Sequence, residues 1–353
     1  MESFPTKYWH KTNDGRIQCD LCPRECRLHE GQRGLCFVRA CEGGEIVLKT
    51  YGRSSGFCID PIEKKPLNHF YPGTPVLSFG TAGCNLFCRF CQNWDISKAS
   101  SMDRLMNQAA PETIANLALE NGCKSVAYTY NDPVIFLEYA VDTAKACRDK
   151  GIKNIAVTAA YIKEAPRREF FEYMDAANVD LKAFSDAFYQ KVCGGKLQDV
   201  LDTLLYIKNE TDVWLEITTL LIPGENDSSE EISKMTKWIR KYLGAEVPVH
   251  FSAFHPDYKM QDKEATPIET LLRASEIARQ NGLYYVYVGN VHSPENDTTY
   301  CTSCGEVLIG RDWYQLTAWN IKHACCPACG KKCAGHFEER PGNWGSRRLP
   351  LKI

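Results

Sequence analysis

Cysteine placement constrains this chain more than any other feature of its sequence. Of 18 cysteines in 353 residues, five fall between Cys19 and Cys41, three at Cys84, Cys88 and Cys91, and six between Cys301 and Cys333. Thiols grouped as Cys-x2-Cys in a reducing compartment bind metals more often than they pair as disulfides. The start, MESFPTKYWHKTNDGR, has no apolar signal core, and no run of about 18 apolar residues could span a bilayer. A cytoplasmic chain with metal-binding cysteines is the expectation. The two ends then read as Cys-rich metal-binding modules over 1–64 and 295–353, because segments of ~30 to 50 residues bury too little surface to fold unaided.

The middle, 65–294, reads as an independent domain. PVLSFG (75–80), SVAYTY (125–130), NIAVTA (154–159), NVDLKA (178–183), WLEITTLL (214–221), PVHFSA (248–253) and YYVYVG (284–289) have the β-rich pattern of strands. Between them run amphipathic stretches such as PETIANLALENG, PVIFLEYAVDTAKACRDKG and PIETLLRASEIARQNG, which close on Gly. Alternating strand and helix predicts an α/β fold with a parallel sheet and right-handed crossovers: a partial or complete (β/α) TIM-type barrel. Function belongs at the strand C-termini.

Directly after the first of these strands, TAGCNLFCRFCQNW sets Cys84-x3-Cys88-x2-Cys91 on one loop. Three close thiolates can hold three irons of a cubane, leaving the fourth open. An open iron can chelate the amino and carboxylate groups of S-adenosylmethionine (SAM) and place its sulfonium for one-electron cleavage. A zinc site completed by a distant ligand is the competing reading of the same thiols.

The CxxxCxxC motif with Phe90 before its last cysteine resembles the radical SAM superfamily. DPIEKKPLNHFYPGTPVLSFGTAGCNLFCRFCQNWDIS, YTYNDP, DLKAF, LLIPGENDS, HFSAFHPDYK and YVYVGNVH resemble, more narrowly, the radical SAM member of the AmmeMemoRadiSam system, a relative of pyruvate formate-lyase activating enzymes. The resemblance spans nearly the whole chain. It implies a radical SAM barrel, a [4Fe–4S] cluster on Cys84, Cys88 and Cys91, SAM as cosubstrate, an external one-electron donor, and Memo-like and AMMECR-like partner proteins. It implies adenine contact by Phe90, backbone carbonyls of Tyr130, Asn131 and Asp132 toward the SAM amino group, and Asp180 with Lys182 toward the ribose and methionine carboxylate. Relatives usually carry Glu at Asp132, and Asn-Gly where this chain has Ala159 and Ala160. An interior ion pair is the other reading of Asp180 and Lys182.

Read from their own chemistry, Glu216, His250, His255, Asn290 and His292 are candidates to line a cavity for SAM or substrate, since buried polar groups need partners. Satisfied core residues are the alternative. Cys301-x2-Cys304-Gly and Cys326-x2-Cys329-Gly have the spacing of a zinc ribbon, with rubredoxin-like iron as the alternative and Cys325 or Cys333 as substitute ligands. Cys19, Cys22, Cys26 and Cys36, with Cys41 to spare, offer four thiolates for zinc or for an iron–sulfur cluster. Both ends are expected to cover the barrel mouth, with Arg24, Arg27, Arg33, Arg347 and Arg348 facing an anionic substrate or acidic surface.

The formal net charge of −2 provides no global attraction for a polyanion, so a nucleic-acid role would have to be local. Three functions compete: hydrogen abstraction from an unidentified substrate by a 5′-deoxyadenosyl radical, activation of a glycyl-radical enzyme, and a zinc-ribbon adaptor or nucleic-acid binder built on a degenerate barrel.

Overall fold

A computed structural model describes residues 3–98 and 107–351. Among them, one nine-stranded sheet organises the molecule: β1 (Phe57–Pro61), β2 (Pro75–Phe79), β3 (Ser125–Tyr128), β4 (Lys153–Thr158), β5 (Ala176–Asp180), β6 (Trp214–Leu221), β7 (Val249–Ala253), β8 (Val286–Gly289) and β9 (Leu349–Leu351). Strands β2 to β8 lie side by side in chain order and are all parallel. At the other edge β1 runs antiparallel to β2, and β9 antiparallel to β1. The sheet is therefore a partial barrel, open between β8 and β9, and its edge is built from residues outside 65–294 on both sides.

Helices α1 (Pro111–Glu120), α2 (Leu137–Arg148), α3 (Glu164–Glu172), α4 (Leu197–Glu210), α5 (Ser229–Tyr242) and α6 (Ile268–Gln280) make the crossovers. Helix α5 shows why they form. Ser228 accepts the Glu231 N–H at its start, Glu230 and Glu231 occupy the first turn, and Arg240 and Lys241 the last, each complementing the helix dipole. Ile232, Met235, Thr236 and Ile239 recur at three and four and are buried against the sheet. No helix among the described residues is long and apolar enough to cross a membrane.

The terminal segments dock in different places. Residues before β1 form two small three-stranded sheets whose apolar side chains, among them Ile17, Leu21, Val38 and Leu48, join the barrel's own core. Arg39, 1% exposed, reaches Glu138 of α2 with both guanidinium nitrogens and donates to the Ile135 carbonyl at 3.0 Å. Lys7 and Tyr8 each reach Glu169 of α3 at 2.5 Å.

After β8, three short strands (Thr299–Tyr300, Val307–Asp312 and Gln315–Trp319) enclose a separate small core with Tyr285 and Tyr287 of the β8 flank. Buried Arg311 bridges the open side: it donates to Thr299 Oγ1 at 2.9 Å and to the carbonyl of Asn68, in the loop entering β2, at 2.6 Å. Further along, Phe70 bridges to His336 and the Gly342 N–H bonds Pro72. The C-terminal segment thus packs along the open seam and the N-terminal side of the sheet. This corrects the expectation that both ends cover the mouth at the strand C-termini.

One buried carboxyl in that seam sets a pH dependence. Glu63 accepts the Gly73 N–H at 2.7 Å through one oxygen, its other oxygen has no hydrogen-bond partner among the described residues, and burial pushes its pKa up to about 7, against the opposing charge of Arg311. A folded-state value above the unfolded one means stability present at low pH and lost as pH rises through the folded value. Glu63→Gln is expected to escape that loss. In urea unfolding, the variant gains on the wild type by on the order of 1–3 kcal/mol between pH 4.5 and pH 8; a constant gap across that range would refute the burial of the charge.

Candidate active site

The loop carrying Cys84, Cys88 and Cys91 follows β2 and has little regular structure of its own. It is shaped from outside. Asn131, just after β3, accepts the Thr81 N–H at 3.0 Å and donates to the carbonyl of Gly83 at 2.9 Å and the hydroxyl of Thr81 at 3.2 Å. Gly80 allows this approach, since a Cβ there would sit 2.6 Å from Asn131 Oδ1 and 2.3 Å from the Thr129 carbonyl. Gly83, at φ +83°, lies so close to the N-terminal segment that a Cβ would meet the Cys36 carbonyl at 2.0 Å. Only glycine meets both demands there.

The second half of the loop is pinned by the turn after β5. Phe87 and Arg89 donate their N–H groups to Cys193 and Val192 at 2.7 and 3.0 Å. Those two acceptors belong to a π-helical turn, Tyr189–Cys193, a geometry frequent at functional sites. Asn85 Nδ2 donates to the Tyr161 carbonyl at 2.8 Å, and the Lys259 N–H from the loop after β7 bonds the Arg89 carbonyl at 3.0 Å.

This places the three thiols together at the strand C-termini, with Cys88 acting electrostatically on both Cys84 and Cys91. Burial pushes Cys84 up to about 12, reinforced by the Asp132 carboxylate. Cys91 is raised by burial and has Ser97 Oγ at 2.9 Å. Cys88 is lowered, because the buried Cys193 thiol donates a hydrogen bond to it and Lys182 and Lys98 stand nearby. None of Cys193, Lys98 and Ser97 was singled out in the sequence; Ser97 and Lys98 follow Cys91 closely in the chain, whereas only folding brings Cys193 to the loop.

Beside the thiols, Lys182 Nζ bonds Asp180 Oδ2 at 2.9 Å and lies 5.8 Å from the centre of the Phe90 ring. Burial works to lower the Lys182 pKa, but the charges of Asp180 and Cys88 outweigh it and hold the ammonium protonated. The Tyr189 hydroxyl accepts the Lys182 N–H at 3.1 Å and fixes the backbone. Cys84, Cys88, Cys91, Phe90, Asp180 and Lys182 thus form one group at one end of the barrel.

Tyr130, Asn131 and Asp132 border it, with side chains already engaged. Tyr130, at φ +70°, turns its hydroxyl to Asp60 Oδ2 of β1 at 2.9 Å, beside Lys65, whose pKa burial pushes down to about 8. The Asp132 carboxylate takes the N–H groups of Val134 and Ala159 and the Thr158 hydroxyl, at 3.0, 2.9 and 3.0 Å. It ties β3 to β4 and leaves backbone atoms as the groups this segment can offer a ligand.

Glu216 and His250 require a correction. The Glu216 carboxylate accepts from Asn68 N, His69 N, Trp214 Nε1 and His250 Nε2 at 3.0, 2.8, 2.9 and 2.7 Å. Asn68 and His69 lie in the loop that enters β2, so the network belongs to the N-terminal side of the sheet. These are satisfied core residues; reading them as strand-end ligands ignored how early Glu216 falls within β6. Asn290 donates to the Ala253 carbonyl at 3.1 Å at the strand ends, whereas His292 pairs with Asp312 at 2.9 Å on the surface and His255 is exposed.

At the C-terminal end the two Cys-x2-Cys-Gly turns meet. Cys301 Sγ lies 3.5 Å from Cys329 Sγ and Cys304 Sγ 3.6 Å from Cys326 Sγ, and all four sulfurs fall within 4.8 Å of one another, a set that could hold a metal ion. Cys333 is turned away toward His69 and Cys325 stays outside the group. Near the other end, Cys19, Cys22, Cys26 and Cys36 line one enclosed cavity with Arg39 and Asn85. Cys41 instead faces Glu30 at 3.8 Å. Of the arginines, Arg24 stacks on Phe87 and bonds the Asn85 carbonyl at 2.8 Å, Arg33 stacks on Phe37, Arg347 on Trp344, Arg27 bonds Gln18, and Arg348 approaches Asp60.

Several known proteins are similar to this chain. An uncharacterized protein of Methanocaldococcus jannaschii is 39% identical over 327 residues, which are 92% of this chain and 97% of that one. The pyruvate formate-lyase-activating enzyme of Clostridium pasteurianum is 24% identical over 207 residues, 55% of this chain and 85% of its own. A radical SAM methyltransferase structure from Sphaerobacter thermophilus aligns with a TM-score of 0.49 at 14% identity, covering 86% of this chain and 81% of its own. The sequence model of the radical SAM superfamily matches residues 79–239, from the end of β2 to α5, which contain the three-cysteine loop, Phe90, Asp180 and Lys182. The chain is an enzyme of the radical SAM superfamily.

Proposed function

We propose that the enzyme binds SAM over the Cys84–Cys91 loop and abstracts hydrogen from a substrate held at the open end of the partial barrel. The observation that carries this reading is the convergence of three loop thiols with Phe90 and the Asp180–Lys182 pair. The donor set fits the cofactors: three cysteines on one loop leave a corner of a cubane free, and the paired ammonium and carboxylate suit a zwitterionic ligand. A [4Fe–4S] cluster held by Cys84, Cys88 and Cys91 would supply the one electron that splits the S–C5′ bond of SAM into methionine and a 5′-deoxyadenosyl radical.

The protein's own residues do the rest. Phe90 presents a ring face to the adenine; Lys182, kept protonated by its anionic neighbours, engages the carboxylate, and Asp180 the ribose. Backbone carbonyls of 130–132 receive the amino group. Asn131 keeps the loop and this segment in register. The close-set four-sulfur group at the C-terminal end suits zinc in a structural role. Memo-like and AMMECR-like proteins, as in the AmmeMemoRadiSam system, and an external one-electron donor are the proposed partners.

A second reading is activation of a glycyl-radical enzyme. It draws support from relatives bearing the name of activating enzymes, including the 4-hydroxyphenylacetate decarboxylase activating enzyme of Clostridium scatologenes, 27% identical over 119 residues. In that case hydrogen is taken from a partner's glycine backbone rather than from a small molecule.

Cys84→Ser, Cys88→Ser and Cys91→Ser are each expected to abolish formation of 5′-deoxyadenosine from SAM under anaerobic dithionite, with the circular dichroism of the barrel unchanged. Wild-type product in any of the three would sink the assignment. Lys182→Ala should weaken SAM binding by about 1.5–3 kcal/mol, roughly a tenfold or greater rise in Kd, at unchanged iron content. An unaltered Kd would mean that Lys182 serves only its pair with Asp180.

A further inference from the structure

The four N-terminal cysteines differ from the C-terminal four in one measurable respect. A single zinc ion with bonds of about 2.3 Å draws its four sulfurs to roughly 3.8 Å of each other. The C-terminal set has that spacing, at 3.5 and 3.6 Å between facing sulfurs. Among the described residues it is the one group of three or more Cys, His, Asp or Glu whose ligand atoms all lie within 4.8 Å. Cys19, Cys22, Cys26 and Cys36 do not meet that limit, yet all four line the same enclosed, largely apolar cavity. Their sulfurs surround a space instead of a point.

The surroundings suit ligation by thiolates. Backbone N–H groups of Leu21 and Arg24 are directed at the sulfurs of Cys19 and Cys22, and those of Val38 and Arg39 at Cys36. The cavity wall is completed by Ile135, by Asn85, which follows Cys84 directly, and by the buried Arg39. The Cys36 carbonyl is packed on Gly83. The cavity is therefore in contact with the loop that carries the catalytic thiols, and its cysteines pack on the core shared with the barrel.

We propose that Cys19, Cys22, Cys26 and Cys36 hold a second, fully cysteine-ligated iron–sulfur cluster, a one-electron redox centre built against the catalytic loop. A cubane carries its four thiolates on outer corners and separates them more widely than one tetrahedral ion does, which is the spacing difference between the two ends. With all four irons capped by cysteine, such a cluster has no open site for SAM. Its chemistry is limited to accepting one electron from a low-potential donor and giving it up again.

The test does not depend on the catalytic reading, because it removes the catalytic thiols. Full-length Cys84→Ala/Cys88→Ala/Cys91→Ala protein, produced with iron and zinc both supplied and purified without oxygen, is expected to retain about four iron and four sulfide and one zinc per chain, and to give an S = 1/2 resonance after dithionite. Adding Cys19→Ser and Cys22→Ser should remove that iron and the resonance while the zinc stays. Should the triple variant be unstable, Cys19→Ser/Cys22→Ser in the otherwise unaltered chain must lose about half of the iron. Two zinc ions and no iron in the triple variant, or undiminished iron in the double variant, would overturn the proposal.

Discussion

The Asn131 carboxamide is the interaction on which the site depends. The loop from Gly80 to Cys91 cannot hold three thiols in place through strand or helix bonds, because it makes few. Asn131 supplies what secondary structure does not, accepting from Thr81 and donating to Gly83 across a glycine that leaves no room for a side chain. Since Asn131 sits at the end of β3 and neighbouring Asp132 is tied to Thr158 and Ala159 at the end of β4, the loop's position is inherited from the sheet. A buried amide with its donors and acceptors satisfied is rigid, and rigidity is what a cluster loop needs.

A second layer of support comes from both sides. The π-helical turn after β5 holds Phe87 and Arg89, and the N-terminal segment presses Cys36 onto Gly83. That segment is locked to α2 by Arg39 and Glu138, a buried ion pair in which loss of either partner would leave an uncompensated charge. The C-terminal segment acts elsewhere, sealing the open seam through Arg311 and contributing β9 to the sheet edge.

Much of this was legible in the residues. All seven parallel strands could be read from β-rich runs separated by amphipathic helices, because parallel strands buried on both faces are nearly continuous apolar runs. WLEITTLL is a strand over the full span read for it. The edge strands Phe57–Pro61 and Leu349–Leu351 were not legible: the first begins among polar turn residues and the second is three residues long, defined only by its pairing with β1. Among site residues, the CxxxCxxC spacing was a local signal, whereas β5 ends at Asp180 and Lys182 lies just beyond it, so their pairing is set by the turn after the strand and not by a strand period of two. Cys193 is 102 residues from Cys91 and carries no motif, so its contact with Cys88 is a product of the fold. Glu216 and His250 misled for the opposite reason: polar residues in a strand signal a network without saying at which end of the barrel it lies.

On the proposed function, SAM binds directly to the open corner of a cluster held by Cys84, Cys88 and Cys91. Electron–nuclear double resonance on the dithionite-reduced protein, with SAM labelled by 15N at its amino group, measures that contact. The arrangement predicts a resolved 15N hyperfine coupling that disappears when unlabelled SAM replaces the labelled compound. SAM bound to saturation with no coupling to the reduced cluster would contradict it.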